Sequence, residues 1–107
     1  MNDLFQQTLA KAEQSQRLER YYEAGDYYDQ AIVIALAQGT PWEVGQANER
    51  AAALYGDWGK AKVAAGYLQE AYDSYACAGL EAEAEALANH YAQISTSISC
   101  RAIVDES

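Results

Sequence analysis

Few residues in this sequence could do chemistry, and they do not gather. His90 is the only histidine. Acid–base or metal work by a lone imidazole needs partners at fixed spacing, and no cysteine or second histidine stands near it in sequence, so His90 reads as a surface or boundary residue, with a phosphoacceptor role as the alternative. Cys77 and Cys100 have neither CxxC spacing nor a histidine cluster. Under cytosolic reducing conditions both are expected as free thiols, one in a helical pattern and one in a polar tail. A structural disulfide is the alternative. Glu81 and Glu85 share a helix face at i, i+4, with Glu83 between them. Without a histidine or an oxygen-rich loop to complete a cation site, they read as a solvated, acidic helix start. No Gly-rich phosphate loop is present, nor a Ser/His/Asp set with the spacing of a known motif. The expectation is a protein without catalytic residues, cofactor or metal.

Residues suited to binding are more numerous. Lys60 and Lys62 are the only basic pair in the centre of the chain. A lysine there could clamp a partner carboxylate as a point charge, or simply offset Asp57 and Glu70. The chain has nine tyrosines and two tryptophans. Tyr72, Tyr75, Tyr91 and Trp58 fall on apolar stripes and read as packing. Tyr21-Tyr22 and Tyr27-Tyr28 are doublets, and adjacent helical residues point about 100° apart, so one of each pair is expected to face outward. Exposed tyrosines are frequent interface anchors. Glu19, Glu23, Asp26 and Asp29 add a negative rim around them.

Composition narrows the partners. The net charge is −9, with 16 acidic residues against seven basic. Nucleic acid needs a basic surface to meet its phosphates, so it is disfavoured. An anionic membrane surface is disfavoured for the same reason. No run of roughly 18 apolar residues exists to span a bilayer. Residues 1–12 lack the apolar core of a signal peptide, which makes a cytoplasmic location the default. Length of 107 residues suits one small domain with a modest core.

The elements that position these residues repeat at a spacing of about 40. Tyr28, Ala31, Ile32, Ala35, Leu36 and Gly39 return as Leu68, Ala71, Tyr72, Tyr75, Ala76 and Gly79. Val44, Ala47, Ala51, Leu54 and Trp58 return as Ala84, Leu87, Tyr91, Ile94 and Ile98. Such self-similarity marks stacked supersecondary units. Alanine-rich composition with a single proline favours helices, and no stretch alternates with period two. The predicted fold class is all-α, with about five helices in antiparallel pairs. The first is predicted from Asp3 to Ala24, stopped by Gly25, and the second from Tyr27 to Gln38 with Asp26 as N-cap. Its inward face is Tyr28, Ala31, Ile32, Ala35 and Leu36. Thr40 and Pro41 open a third helix expected to reach Ala65. Gly56 and Gly59 inside it are expected where another helix backbone comes close. The fourth is predicted from Tyr67 to Ala78, closed by Gly79, and the fifth from Leu80 to Thr96. Residues 1–96 are then one domain and 97–107 a flexible tail.

Within each pair the pattern resembles the tetratricopeptide repeat. Trp58-Gly59, Gly66, Ala71, Tyr75 and Ala78 stand at matching spacing in the second unit. Gly25-Asp26-Tyr27 and Ala31 match less fully in the first, which lacks the tryptophan-leucine-glycine run. The period exceeds the standard 34. "NERAAALYGDWGKAKVAAGYLQEAYDSYACAGLEAEAEAL" is similar to a repeat segment of large cyanobacterial multidomain signalling kinases. The resemblance implies a short right-handed solenoid that acts as a non-catalytic protein-interaction adaptor or scaffold. The alternative it implies is a regulatory or spacer domain of a signalling kinase, acting intramolecularly or by self-association, with this chain a stand-alone relative or a fragment. In this family the first helix of each pair lines a concave groove. With a third helix reaching Ala65, that places Lys60, Val63 and Ala64 at the groove with Glu19 and Tyr22 beside them; Lys62 of the basic pair and Tyr27 of the tyrosine doublets complete the candidate site for a protein or peptide partner. Two units are fewer than the roughly three a solenoid usually needs. Either the fifth helix caps the stack or the chain forms a homodimer, burying Leu4, Phe5 and Leu9.

Overall fold

A computed structural model describes residues 3–91. Five helices, and no strand, make up the described residues: α1 (Asp3–Arg17), α2 (Tyr21–Gln38), α3 (Pro41–Asp57), α4 (Ala61–Cys77) and α5 (Glu81–His90). Each helix packs on the next along the chain. The predicted tail, 97–107, lies outside the described residues, as do Ile94 and Ile98.

Three helices end in the same way. Glu19, Gly59 and Gly79 adopt the left-handed conformation, with φ of 60°, 81° and 79°. The next residue's N–H then reaches five residues back: Arg20 to the Ser15 carbonyl at 2.9 Å, Lys60 to Tyr55 at 2.8 Å, and Leu80 to Tyr75 at 2.8 Å. This closure satisfies carbonyls that a helix end leaves open. The first two such turns stand 40 positions apart, matching the sequence period.

These turns correct two predicted boundaries. The first break falls at 18–20, not at Gly25, because Glu19 takes the left-handed position that a glycine would advertise. Gly25 is buried inside α2, where an added Cβ would lie 2.9 Å from the Tyr55 hydroxyl. Its missing side chain serves helix contact, not termination, and Asp26 lies within the helix rather than at its cap. The second correction moves the α3–α4 break from around Ala65 to Trp58–Lys60, which places Gly66 within α4. Gly56, Gly59 and Gly66 have no neighbouring atom within 4 Å of a Cβ position. Within the helices the close-approach glycines are Gly25 and Gly45 instead, each against a tyrosine ring of another helix. The start of α3 matches expectation: Thr40 and Glu43 form a reciprocal capping box, with N–H···O distances of 3.2 and 2.9 Å, and Pro41 follows.

The core lies in two clusters that share α3. Phe5, Leu9 and Ala12 of α1 meet Ala24, Tyr28, Ala31 and Ala35 of α2 and Val44, Ala47, Ala51 and Leu54 of α3. Ala52 of α3 joins Ala64, Leu68, Ala71, Tyr72 and Tyr75 of α4 and Ala84 and Leu87 of α5. Alanines at the contacts let the helices approach closely, and a few large rings fill what remains. Phe5 and Leu9 are therefore occupied within the chain, and only Leu4 of the expected dimer trio stays exposed. Cys77 is disulfide-bonded, which corrects the expectation of a free thiol. Linear spacing carries no signal for half-cystines that folding brings together. The second cysteine, Cys100, lies outside the described residues.

Candidate functional site

Three helical stripes converge on one open groove. Asp29, Ile32, Val33 and Leu36 lie at i, i+3, i+4 and i+7 on α2 and form one wall. Val63, Gly66, Tyr67, Glu70 and Ser74 form the other on α4, and Val44 and Asn48 of α3 supply the floor. The groove encloses about 550 Å³. A second hollow of about 380 Å³ continues it past Leu36, Val44 and Ser74 toward Gly39 and Pro41. Val33 is 63% exposed, Leu36 68% and Val63 43%. These side chains are large, apolar and uncovered on facing walls.

The polar groups of the groove are few and placed. Tyr67 donates its hydroxyl to Asp29 Oδ1 at 2.7 Å, linking the two walls. Burial, then the Asp29 carboxylate, push the Tyr67 hydroxyl well above its ordinary value, so it remains a donor. Asn48 is buried and gives its amide to the Val44 carbonyl at 2.9 Å. Among the described residues, Asp29 and Glu70 are the charged residues of the lining, one on each wall, and no lysine or arginine lines it. Gly66 leaves open space on the α4 wall.

The α1–α3 side, expected to carry the groove, is different in kind. Glu13 pairs with Arg50, Gln16 donates to Asp57 at 2.8 Å, and Tyr28 donates to Gln16 at 2.7 Å. Burial, then the Glu13 charge, raise Tyr28 to about 12. The polar groups of this surface pair with one another.

The six residues singled out from sequence do not form one site. Tyr22 and Lys60 meet at Trp58: the Tyr22 ring is edge-on with centroids 4.7 Å apart, and the Lys60 ammonium sits 4.7 Å above the indole. Tyr21 and Tyr55 stack on Trp58 at 5.5 and 5.7 Å, and Tyr55 stacks on Tyr67 at 5.1 Å. Aromatic and cation–π packing of this kind joins the α1–α2 and α3–α4 turns. Glu19 is exposed in the first of these turns. Tyr27 is half-buried against the first core cluster, and Lys62 is exposed on α4 outside the groove lining. Val63 alone reaches the groove. Lys60 and Lys62 belong to the start of α4, not to α3, because Gly59 ends α3 earlier than expected.

Sequence reasoning missed Val33 and Leu36. Leu36 was assigned to the inward face, yet it is among the most exposed apolar side chains. The signal was present in the uninterrupted apolar run from Ala31 to Ala37, wider than the stripe one core contact requires. Among chemistry candidates, Glu81, Glu83, Glu85 and His90 are all exposed, and no group of three or more potential metal ligands occurs among the described residues. No helix among the described residues is long and apolar enough to cross a membrane. No protein-family model matches the chain, and neither does any curated protein or any solved structure.

Proposed function

We propose that this chain is a non-catalytic protein-interaction module, built as a short helical repeat of tetratricopeptide type, that docks a segment of a partner protein in the groove between α2 and α4. The observation that carries this reading is the facing pair of uncovered apolar walls, Val33 and Leu36 against Val63, over a Val44 floor. Contiguous exposed apolar surface with polar margins marks an interaction site. Support for the repeat architecture comes from the identical turns at 18–20 and 58–60.

The test is selection of a displayed helical-peptide library on the wild-type chain, followed by affinity measurement against Leu36→Glu and Val63→Glu. Both side chains are exposed, so the fold survives and circular dichroism is unchanged. The expected result is peptides that lose at least about tenfold in affinity, or ~1.4 kcal/mol, against either variant. Peptides that bind wild type and variants equally refute the groove as the site. A chain that selects no peptide but self-associates in sedimentation favours the alternative, a regulatory or spacer domain of a signalling kinase.

A further inference from the structure

We infer that the segment this groove accepts is an amphipathic helix whose apolar row is flanked on both sides by lysine or arginine. The inference rests on the docking reading above and adds the chemistry of the occupant.

Backbone class comes first. The described residues offer no strand edge, so an extended peptide has no ladder to join. A polyproline segment needs an aromatic-lined groove, and Tyr67 is the single aromatic residue here, its hydroxyl already committed to Asp29. What the groove offers is rows at i, i+3, i+4 and i+7 on two walls. Those are the ridges and grooves into which a third helix packs.

Charge then chooses among helices. Asp29 on α2 and Glu70 on α4 stand on opposite walls, and no cation among the described residues lines the groove. A helix laid between the walls meets a carboxylate on each flank. The Tyr67 hydroxyl holds Asp29 in place. A second copy of this chain would bring another net charge of −9 to the same surface, which opposes association. The chain's own residues 92–107 carry one cation, Arg101, against Asp105 and Glu106, and are no better matched. A basic partner helix satisfies both the apolar walls and the acidic flanks.

The test uses three synthetic peptides with one leucine/isoleucine row at i, i+3 and i+7, flanked by lysine, glutamine or glutamate. Affinities are measured by calorimetry with wild type, Leu36→Glu and the double variant Asp29→Asn, Glu70→Gln. The asparagine keeps an acceptor for Tyr67, so only charge changes. The lysine peptide is expected to bind about tenfold tighter than the glutamine peptide at low salt, and the preference shrinks as salt screens it. In the double variant the preference falls below about twofold, while Leu36→Glu weakens both peptides. Equal binding of lysine and glutamine peptides, both lost with Leu36→Glu, overturns the charge inference and leaves the docking reading standing. No binding by any peptide, or lysine-peptide binding untouched by Leu36→Glu, overturns both. A preference that survives in the double variant removes Asp29 and Glu70 as its source. A dimer in sedimentation that the peptides dissociate would assign the groove to a second copy and overturn the inference.

Discussion

Gly45→Ala isolates the contact on which the α3–α4 packing turns. Gly45 is buried in α3, and a Cβ there would lie no more than 2.8 Å from Cε1, Cζ and Cδ1 of the Tyr75 ring. Carbon atoms normally approach to about 3.5–4.0 Å, so the ring must move by roughly 1 Å. It has little room, because Tyr75 is only 1% exposed. Its hydroxyl accepts from Gln46 at 2.8 Å and donates to Glu49 at 2.9 Å, and a shifted ring strains both bonds. Overpacking of this kind costs roughly 1–3 kcal/mol. Weakened hydrogen bonds add about 1 kcal/mol. Alanine's helix propensity returns about 1 kcal/mol. The net expectation is a loss of about 1–3 kcal/mol, read in urea unfolding followed by circular dichroism. Gly66→Ala is the matched control. It lies within α4 with open space at its Cβ position, and should stabilise by up to about 1 kcal/mol. In a Tyr75→Leu background Gly45→Ala should cost little, because the ring it strikes is gone. If Gly45→Ala is as stable as wild type, or gains stability as Gly66→Ala does, the placement of Tyr75 against Gly45 is refuted.

Three further outcomes follow from the same geometry. Glu19→Gly should stabilise by about 1 kcal/mol in urea unfolding, because a non-glycine residue at φ 60° carries a strain that glycine lacks. An unchanged midpoint would mean that Glu19 is not left-handed in solution. Thr40→Ala removes one half of the capping box and should cost about 1 kcal/mol, with Glu43→Ala producing a smaller loss in the same thermal melt. Finally, burial raises Tyr28 to about 12 and also pushes Tyr67 and Tyr75 upward. Unfolded tyrosines ionise near pH ~10, so the native state retains protons that the unfolded state loses. Stability is therefore full below pH ~10 and should fall as the pH rises from there toward about 12. Urea midpoints that stay level between about pH 9 and 11.5 would contradict the burial of these hydroxyls.

The fold was legible where a residue's local chemistry and its tertiary role agree. Thr40-Pro41 opens α3 as expected because a hydroxyl and a missing N–H both suit that position in any context. Gly79 closes α4 because its left-handed φ is a local demand. Gly25 misled because glycine answers two different needs. One is a positive φ; the other is room for a neighbour's side chain, and here it was Tyr55. The true first turn was hidden by Glu19, which adopts a conformation its type rarely takes. Leu36 was placed inside because it shares the helical spacing of Tyr28, Ala31 and Ala35, yet no neighbouring helix covers its edge of the stripe. Lys60 was placed on α3 because the stop at Gly59 was read as part of a longer helix.

The sequence by itself determined the helical class, a residue-type period of about 40 and the acidic, histidine-poor composition. These follow from periodicity, propensity and composition, each readable without knowing what touches what. Only the tertiary structure decided which side of the helices stays open. Glu13, Gln16, Arg50 and Asp57 pair with one another on the α1–α3 face, residues that lie up to 41 positions apart. Val33, Leu36 and Val63 find no such cover. A stripe of apolar side chains looks the same in sequence whether a neighbouring helix buries it or not. That difference lies in the packing of α2, α3 and α4 around one another.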